Sequence, residues 1–307
     1  NFFFHKAQDS LPDYACCSIN ATLGRNRDVH LITNCSTDVR TLCPSAPRLQ
    51  KRLKVHALAS YETAALRKFR SAYAAAPYRK LQPPQREPWE RQNMERFFVL
   101  EAFMREHKLR RAFYADADVA LLEAVHEALL PIGCDAMLDF SHANRKTVKP
   151  FAWAAWAGSS ILSRALLKDF LRFANALYVK RWCIPELKAS RAPFFTDMTV
   201  WHLFAKLVTA SSRSAFGDEL PPTSNWTLCS GKAAGFDGGF GASVHLREEF
   251  KFDLHSHRAK FSLKPLTGKK SGSRVRSIHF TGASKANACP LLQRGQRPAA
   301  RGVRIST

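Results

Sequence analysis

Asp116 and Asp118 stand one residue apart in the run Phe113-Tyr114-Ala115-Asp116-Ala117-Asp118-Val119-Ala120-Leu121-Leu122. A strand alternates its side chains between two faces, so a strand carried through the acids would point both carboxylates one way and Ala117 the other. At the carboxyl end of a strand, such a pair can hold a divalent cation that itself grips a diphosphate. Two ionised groups ending a buried strand need a positive partner of some kind. The plain alternative is an exposed turn with two solvated acids.

A second stretch could do related chemistry. Val275-Arg276-Ser277-Ile278-His279-Phe280-Thr281-Gly282-Ala283-Ser284-Lys285 reads as a strand ending in His, followed by Gly and Lys at three-residue steps. A neutral imidazole beside carboxylates suits Mn²⁺, and a Lys acts as a point charge on phosphate. The alternative is an ordinary His followed by a basic turn.

The elements that must position these groups are legible from periodicity. Phe2-Phe3-Phe4-His5 and Val29 to Thr33 read as strands, with a helix between them from Pro12 to Arg25. This is a βαβ unit, which implies parallel pairing and a ligand near the loop after the first strand. That loop offers His5, Lys6 and Gln8, which are equally readable as surface residues. Leu53 to Leu58 reads as a strand and Tyr61 to Ala76 as an amphipathic helix. Trp89 to Lys108 predicts a helix with Phe97, Leu100, Phe103 and Met104 on its buried stripe. Asp135 to Phe140 reads as a strand, and Arg164 to Tyr178 as a helix capped by Ser163. Val200 to Leu207 reads as a helix preceded by Thr196-Asp197-Met198-Thr199, and Asp197 reads as an acid at its N-terminal end, where the dipole favours one. Ser211 to Gly241 reads as a loop, either disordered or a cover over a site.

Glu95-Arg96-Phe97-Phe98-Val99-Leu100 leading into the D-x-D run resembles the centre of GT-A type glycosyltransferases, which use nucleotide sugars. The H-x-x-G-x-x-K segment is similar to that of retaining transferases related to glycogenin. The resemblance runs from the first strand to about Lys285. It implies an α/β, GT-A, Rossmann-like fold: a mainly parallel sheet flanked by helices. The expected organisation is one transferase domain over 1–289, with a nucleotide-sugar half (1–140), an acceptor half with the C-terminal metal and phosphate segment (141–289), and a basic tail at 290–307.

The same resemblance implies the roles. Asp116, Asp118 and His279 would hold Mn²⁺ or Mg²⁺, and the donor would be a nucleoside-diphosphate sugar, UDP being the expected nucleotide. His5, Arg96, Gly158, Ser159, Gly282 and Lys285 are the candidate donor contacts. Arg96 reads equally as an ion-paired or solvated residue. Trp153 and Trp156 would stack on a sugar or fill the core. Asp197 would bind acceptor hydroxyls or act as base, unless it is only a helix-opening acid. The acceptor would be a hydroxyl of a glycan, protein or lipid. Ala286-Asn287 stands where Pro-Trp often follows the Lys, so inversion and retention both stay open.

Composition bounds these readings. The chain has 307 residues, 46% of them hydrophobic, with 22 Phe, which argues for a folded core. Its formal charge of +22 favours anionic partners. From residue 264 to 307 it carries ten Lys and Arg and no acid. A nucleic-acid-binding protein is therefore one rival reading, although no RNP, KH or zinc-finger signature is present and no specific nucleic acid is expected. A carbohydrate-binding relative without turnover is the other. Eight cysteines show no C-x-x-C pair, which argues against a finger-type zinc site, and Cys35 with Cys43 could close a short loop. Sequons at Asn20, Asn34 and Asn225 favour the Golgi or another secretory lumen over the cytoplasm. The chain opens on a strand without Met, and a membrane anchor, if any, is expected to lie outside it.

Overall fold

The computed structural model describes residues 2–5, 11–35, 43, 47–76, 87–121, 123–126, 133–141, 154–180, 196–209, 226–230, 239–240, 252–253, 260–261, 277–280, 285–286 and 288–294. In chain order the first elements are β1 (Phe2–His5), α1 (Asp13–Leu23), β2 (Val29–Thr33), α2 (Pro47–Gln50), β3 (Leu53–Ala57), α3 (Ala64–Ala75) and α4 (Glu87–Glu106). Next come β4 (Arg111–Asp116), β5 (Val119–Leu121), β6 (Ala136–Ser141), β7 (Ala154–Trp156), β8 (Ser159–Ser163), α5 (Arg164–Lys180) and α6 (Asp197–Thr209). The last are β9 (Leu228–Ser230), β10 (Gly239–Phe240), β11 (Phe252–Asp253), β12 (Lys260–Phe261), β13 (Ser277–Phe280) and α7 (Ala288–Arg294).

The main sheet has the order β3-β2-β1-β4-β8-β6-β7, with β9 beside β6. β3, β2, β1 and β4 run parallel, whereas β8 is antiparallel to β4 and to β6. The architecture is therefore α/β, with a parallel sheet flanked by helices. Both expected halves contribute to this one sheet, since β8 lies directly against β4.

Each face of the sheet has its own core, and β4 serves both. Ala112 and Tyr114 pack with Phe97, Phe103, Phe170 and Trp201 of α4, α5 and α6. Phe113 and Ala115 pack with Ala15, Ile19 and Leu23 of α1. This is the strand alternation read as energy, because burying one Phe contributes about 2–3 kcal/mol. The stripe predicted on α4 is observed: Phe97, Phe103 and Met104 are fully buried.

β5 leaves the main sheet and pairs antiparallel with β13, which also pairs parallel with β10. Two side chains of the α1 region anchor this crossing. Thr22 Oγ1 accepts the Leu121 N–H at 3.0 Å, and Asn26 Oδ1 accepts the Val125 N–H at 2.9 Å.

Several expectations change. Leu228–Ser230, expected as loop, is a strand pairing parallel with β6, and Gly239–Phe240 pairs with β13. A pattern of only three or two residues is too short to show a period, so neighbouring strands decided both. The rest of 211–241 lies outside the described residues, save Trp226 and Thr227. The suggested Cys35–Cys43 link does not form: Cys43 bonds Cys16, and Cys35 keeps its thiol. Fold topology, which brings α1 over Cys43, outweighed nearness in sequence. Cys17 bonds Cys289, and helix α7 carries described structure to Arg294, into the stretch expected as tail.

Candidate active site

The D-x-D acids lie where β4 gives way to β5. β4 ends at Asp116, and Ala117 and Asp118 form the turn, so strand alternation stops between the two acids. The carboxylates consequently enter two adjoining charge clusters.

Asp116 belongs to a buried cluster organised by Arg96. One guanidinium nitrogen of Arg96 binds Asp116 Oδ1, and the other is 2.6 Å from Asp197 Oδ2. Arg96 is 7% exposed and Asp197 3%. The guanidinium also lies 5.0 Å from the Phe97 ring centroid and 5.5 Å from that of Tyr114. Burial disfavours the charge on Arg96, yet Asp116 and Asp197 outweigh it and hold the proton well above the usual range. Burial also pushes the Tyr114 phenol far up, so Tyr114 stays protonated and donates to Asp116 Oδ1. For Asp197, burial raises the carboxyl while Arg96 opposes it, and the net direction is upward.

Asp118 belongs to the second cluster. Lys285 Nζ is 2.8 Å from its Oδ2, and His279 Nε2 is 3.4 Å from its Oδ1. Burial works against ionisation of Asp118, but the imidazole and the ammonium win and hold it down to about 2. Lys285 shifts upward: Asp118 outweighs the burial that opposes its charge. Its ammonium also stands 4.7 Å over the Tyr14 ring of α1. The backbone fixes this meeting, because His279 pairs with Val119 and the Phe280 N–H donates to Asp118 O at 2.9 Å.

The other candidates surround the same strand end. The Asp116 N–H donates to Gly158 O at 2.8 Å, and the Ser159 and Ser277 hydroxyls are 3.2 Å apart. His5 sits at the carboxyl end of β1, the strand beside β4, paired with Thr33. The side chains of His5 and Trp156, and all of Lys6, Gln8, Trp153, Asn225 and Gly282, lie outside the described residues. Three residues were not anticipated: Tyr114, Tyr14 and Ser277. Tyr114 had a sequence signal, since it precedes Asp116 by two on one strand face. Tyr14 and Ser277 had none.

Fit to a divalent cation can be judged from the donors. Asp118 Oδ1 is buried and makes no hydrogen bond. Two donors each ~2.1 Å from one cation, at octahedral or tetrahedral angles, stand about 3.0–3.4 Å apart. The 3.4 Å between Asp118 Oδ1 and His279 Nε2 matches that span. Across both clusters three carboxylates face two cations, Arg96 and Lys285, so leaving the imidazole aside the site has an excess of one negative charge. Asp118 and His279 therefore fit a cation as they stand, whereas Asp116 spends Oδ1 on Arg96 and Tyr114. Among the described residues no three His, Cys, Asp or Glu side chains converge into a ready metal cluster.

No protein-family model matches the chain, and no curated protein does. Among solved structures, the chain is similar to the PaToxG glycosyltransferase at 11% identity and a TM-score of 0.37, over 70% of this chain and 72% of that one. It is also similar to an active-site mutant of LgtC, at 11% identity and a TM-score of 0.42, over 92% of this chain and 88% of that one.

Proposed function

We propose that this protein is a metal-dependent glycosyltransferase that moves a sugar from a nucleoside-diphosphate donor, UDP-sugar foremost, to a hydroxyl acceptor. The observation that carries the reading is the meeting of Asp118, His279 and Lys285 beside the D-x-D turn. Asp118 and His279 would hold Mn²⁺ or Mg²⁺, with Asp116 as a further candidate ligand. Bound there, the cation would neutralise charge on a diphosphate leaving group.

The chain's own residues account for the remaining requirements. Breaking the anomeric carbon–oxygen bond leaves negative charge on the departing diphosphate, and Lys285 can turn from Asp118 to meet it. The Gly158–Ser159 backbone brings a small-residue strand against the acids, which admits a close ligand. Arg96 fixes Asp116 and Asp197 in one rigid unit. In an inverting reaction Asp197 would take the acceptor's proton once Arg96 releases it. In a retaining one the donor's own phosphate would receive it. The Cys16–Cys43 and Cys17–Cys289 disulfides favour an oxidising compartment such as the secretory lumen.

The test is a thermal-shift series with nucleoside diphosphates, with and without Mn²⁺. Binding to the folded state raises the melting point by mass action. The expected result is a Mn²⁺-dependent rise with UDP that Asp118→Asn removes. No rise with any nucleotide on a folded sample would overturn the reading. Steeply salt-dependent binding to arbitrary duplex, with no donor hydrolysis, would favour the nucleic-acid alternative.

A further inference from the structure

A cavity of about 660 Å³ lies at the N-terminal end of β4. Arg105 from the end of α4, Arg110 and Arg111 at the entry to β4, and Arg164 and Lys168 from the start of α5 line it. Its two acids are engaged: Glu101 pairs with Arg105 at 3.1 Å, and Asp135 Oδ2 accepts the Thr227 N–H at 3.1 Å. Among the described residues no carboxylate lies in ion-pair range of Arg110, Arg164 or Lys168.

The backbone builds this concentration of charge. The Arg164 N–H donates to Arg110 O at 2.9 Å, which fixes the first turn of α5 against the entry to β4 and sets two arginines side by side. The Ser163 N–H donates to Asp135 O at 2.7 Å, and Ser163 Oγ caps the helix by accepting the Leu166 N–H at 3.3 Å. The start of α5 adds its own partial positive charge. The charges of Arg110, Arg164 and Lys168, gathered on one cavity wall, repel one another unless an anion joins them.

This place is separate from the D-x-D turn. β4 runs from Arg111 at the cavity to Asp116, and five steps of ~3.3 Å put about 17 Å between them. We propose that the cavity is a binding site for a phosphate-bearing anion carrying at least two negative charges, held by Arg110, Arg164 and Lys168. Guanidinium forks match phosphate oxygens in pairs, and the volume is that of a small-molecule site.

The test titrates the intact chain calorimetrically with inorganic pyrophosphate, EDTA being present so that no divalent cation links the probe to the D-x-D acids. The combined substitution Arg110→Ser, Arg164→Ser and Lys168→Ser is expected to weaken binding by about tenfold or more. Lys54→Ala, on β3 and outside the cavity lining, is expected to leave it unchanged. Lys168→Glu alone, at an exposed position, should act in the same direction with less disturbance of the fold. Sedimentation with phosphatidylserine against phosphatidylcholine vesicles separates the sources of the phosphate. Pyrophosphate binding lost in the triple variant assigns a free phosphate ligand, and phosphatidylserine binding lost in it assigns a lipid headgroup. Binding of both probes that ignores the cavity substitutions, or of neither to the native chain, overturns the proposal.

Discussion

Asp118 and His279, far apart in the chain, stand 3.4 Å from each other across the turn that follows β4, with Lys285 on the other Asp118 oxygen. Asp118→Asn and His279→Ala should each lower sugar-transfer activity by about 10²–10³-fold, the scale seen when one electrostatic contributor to a transition state is lost. Both should abolish the Mn²⁺-dependent thermal shift with UDP. A variant that keeps the full shift would remove that residue from the proposed metal site.

Arg96 neutralises Asp116 and Asp197 together in a nearly dry setting. Arg96→Met leaves the buried Asp197 and the part-buried Asp116 without a cation. It should cost about 3–5 kcal/mol, a fall in Tm of roughly 10 °C. Adding Asp116→Asn and Asp197→Asn should restore most of that stability without restoring activity. Calorimetry of the single and combined variants measures the coupling, and additive losses would contradict it.

The Cys17–Cys289 bond ties α1 to the helix that follows the His279 and Lys285 segment. Closing so long a loop is worth on the order of 5 kcal/mol in chain entropy. Cys289→Ser should lower the melting point and also weaken the UDP–Mn²⁺ response, because Lys285 loses its tether to the α1 side. A stability loss with unchanged nucleotide response would show that the bond holds the fold alone.

His30 and His56 meet nitrogen to nitrogen at 3.0 Å beneath Phe103. Burial foremost pushes His30 from 6.5 to about 3, with the charges of His56 and Lys54 among the lesser causes. Between these values the unfolded chain binds a proton that the folded one refuses, so stability is complete above about 6.5 and falls as pH drops towards 3. Asp118 has the other acid-side window: its folded value of about 2 lies below the ordinary 3.8, so its contribution is present above 3.8 and lost between the two. His30→Phe should flatten the fall in melting point between pH 7 and 5; Asp118→Asn should lower the melting point throughout the range above about pH 4 and flatten its fall only below that. Melting curves across pH 2–8 check both, and an unchanged slope in His30→Phe would place the titration elsewhere.

Local elements and candidate chemistry were legible along the chain. Apolar residues recurring at helical spacing marked α4, alternation marked β4, and the two motif spacings named Asp116, Asp118, His279 and Lys285, which lie around one turn. Periodicity is a property of a single segment, so one segment suffices to reveal it. The tertiary structure alone decided who faces whom. It split the two acids between Arg96 and the His279–Lys285 pair, because the turn at Ala117 ends the alternation that a longer strand would have continued. It chose Cys16 over Cys35 as the partner of Cys43, and it gathered the arginines of α4, β4 and α5 around one cavity. Such pairings depend on which elements the two cores bring together, and no local pattern encodes the packing of distant segments.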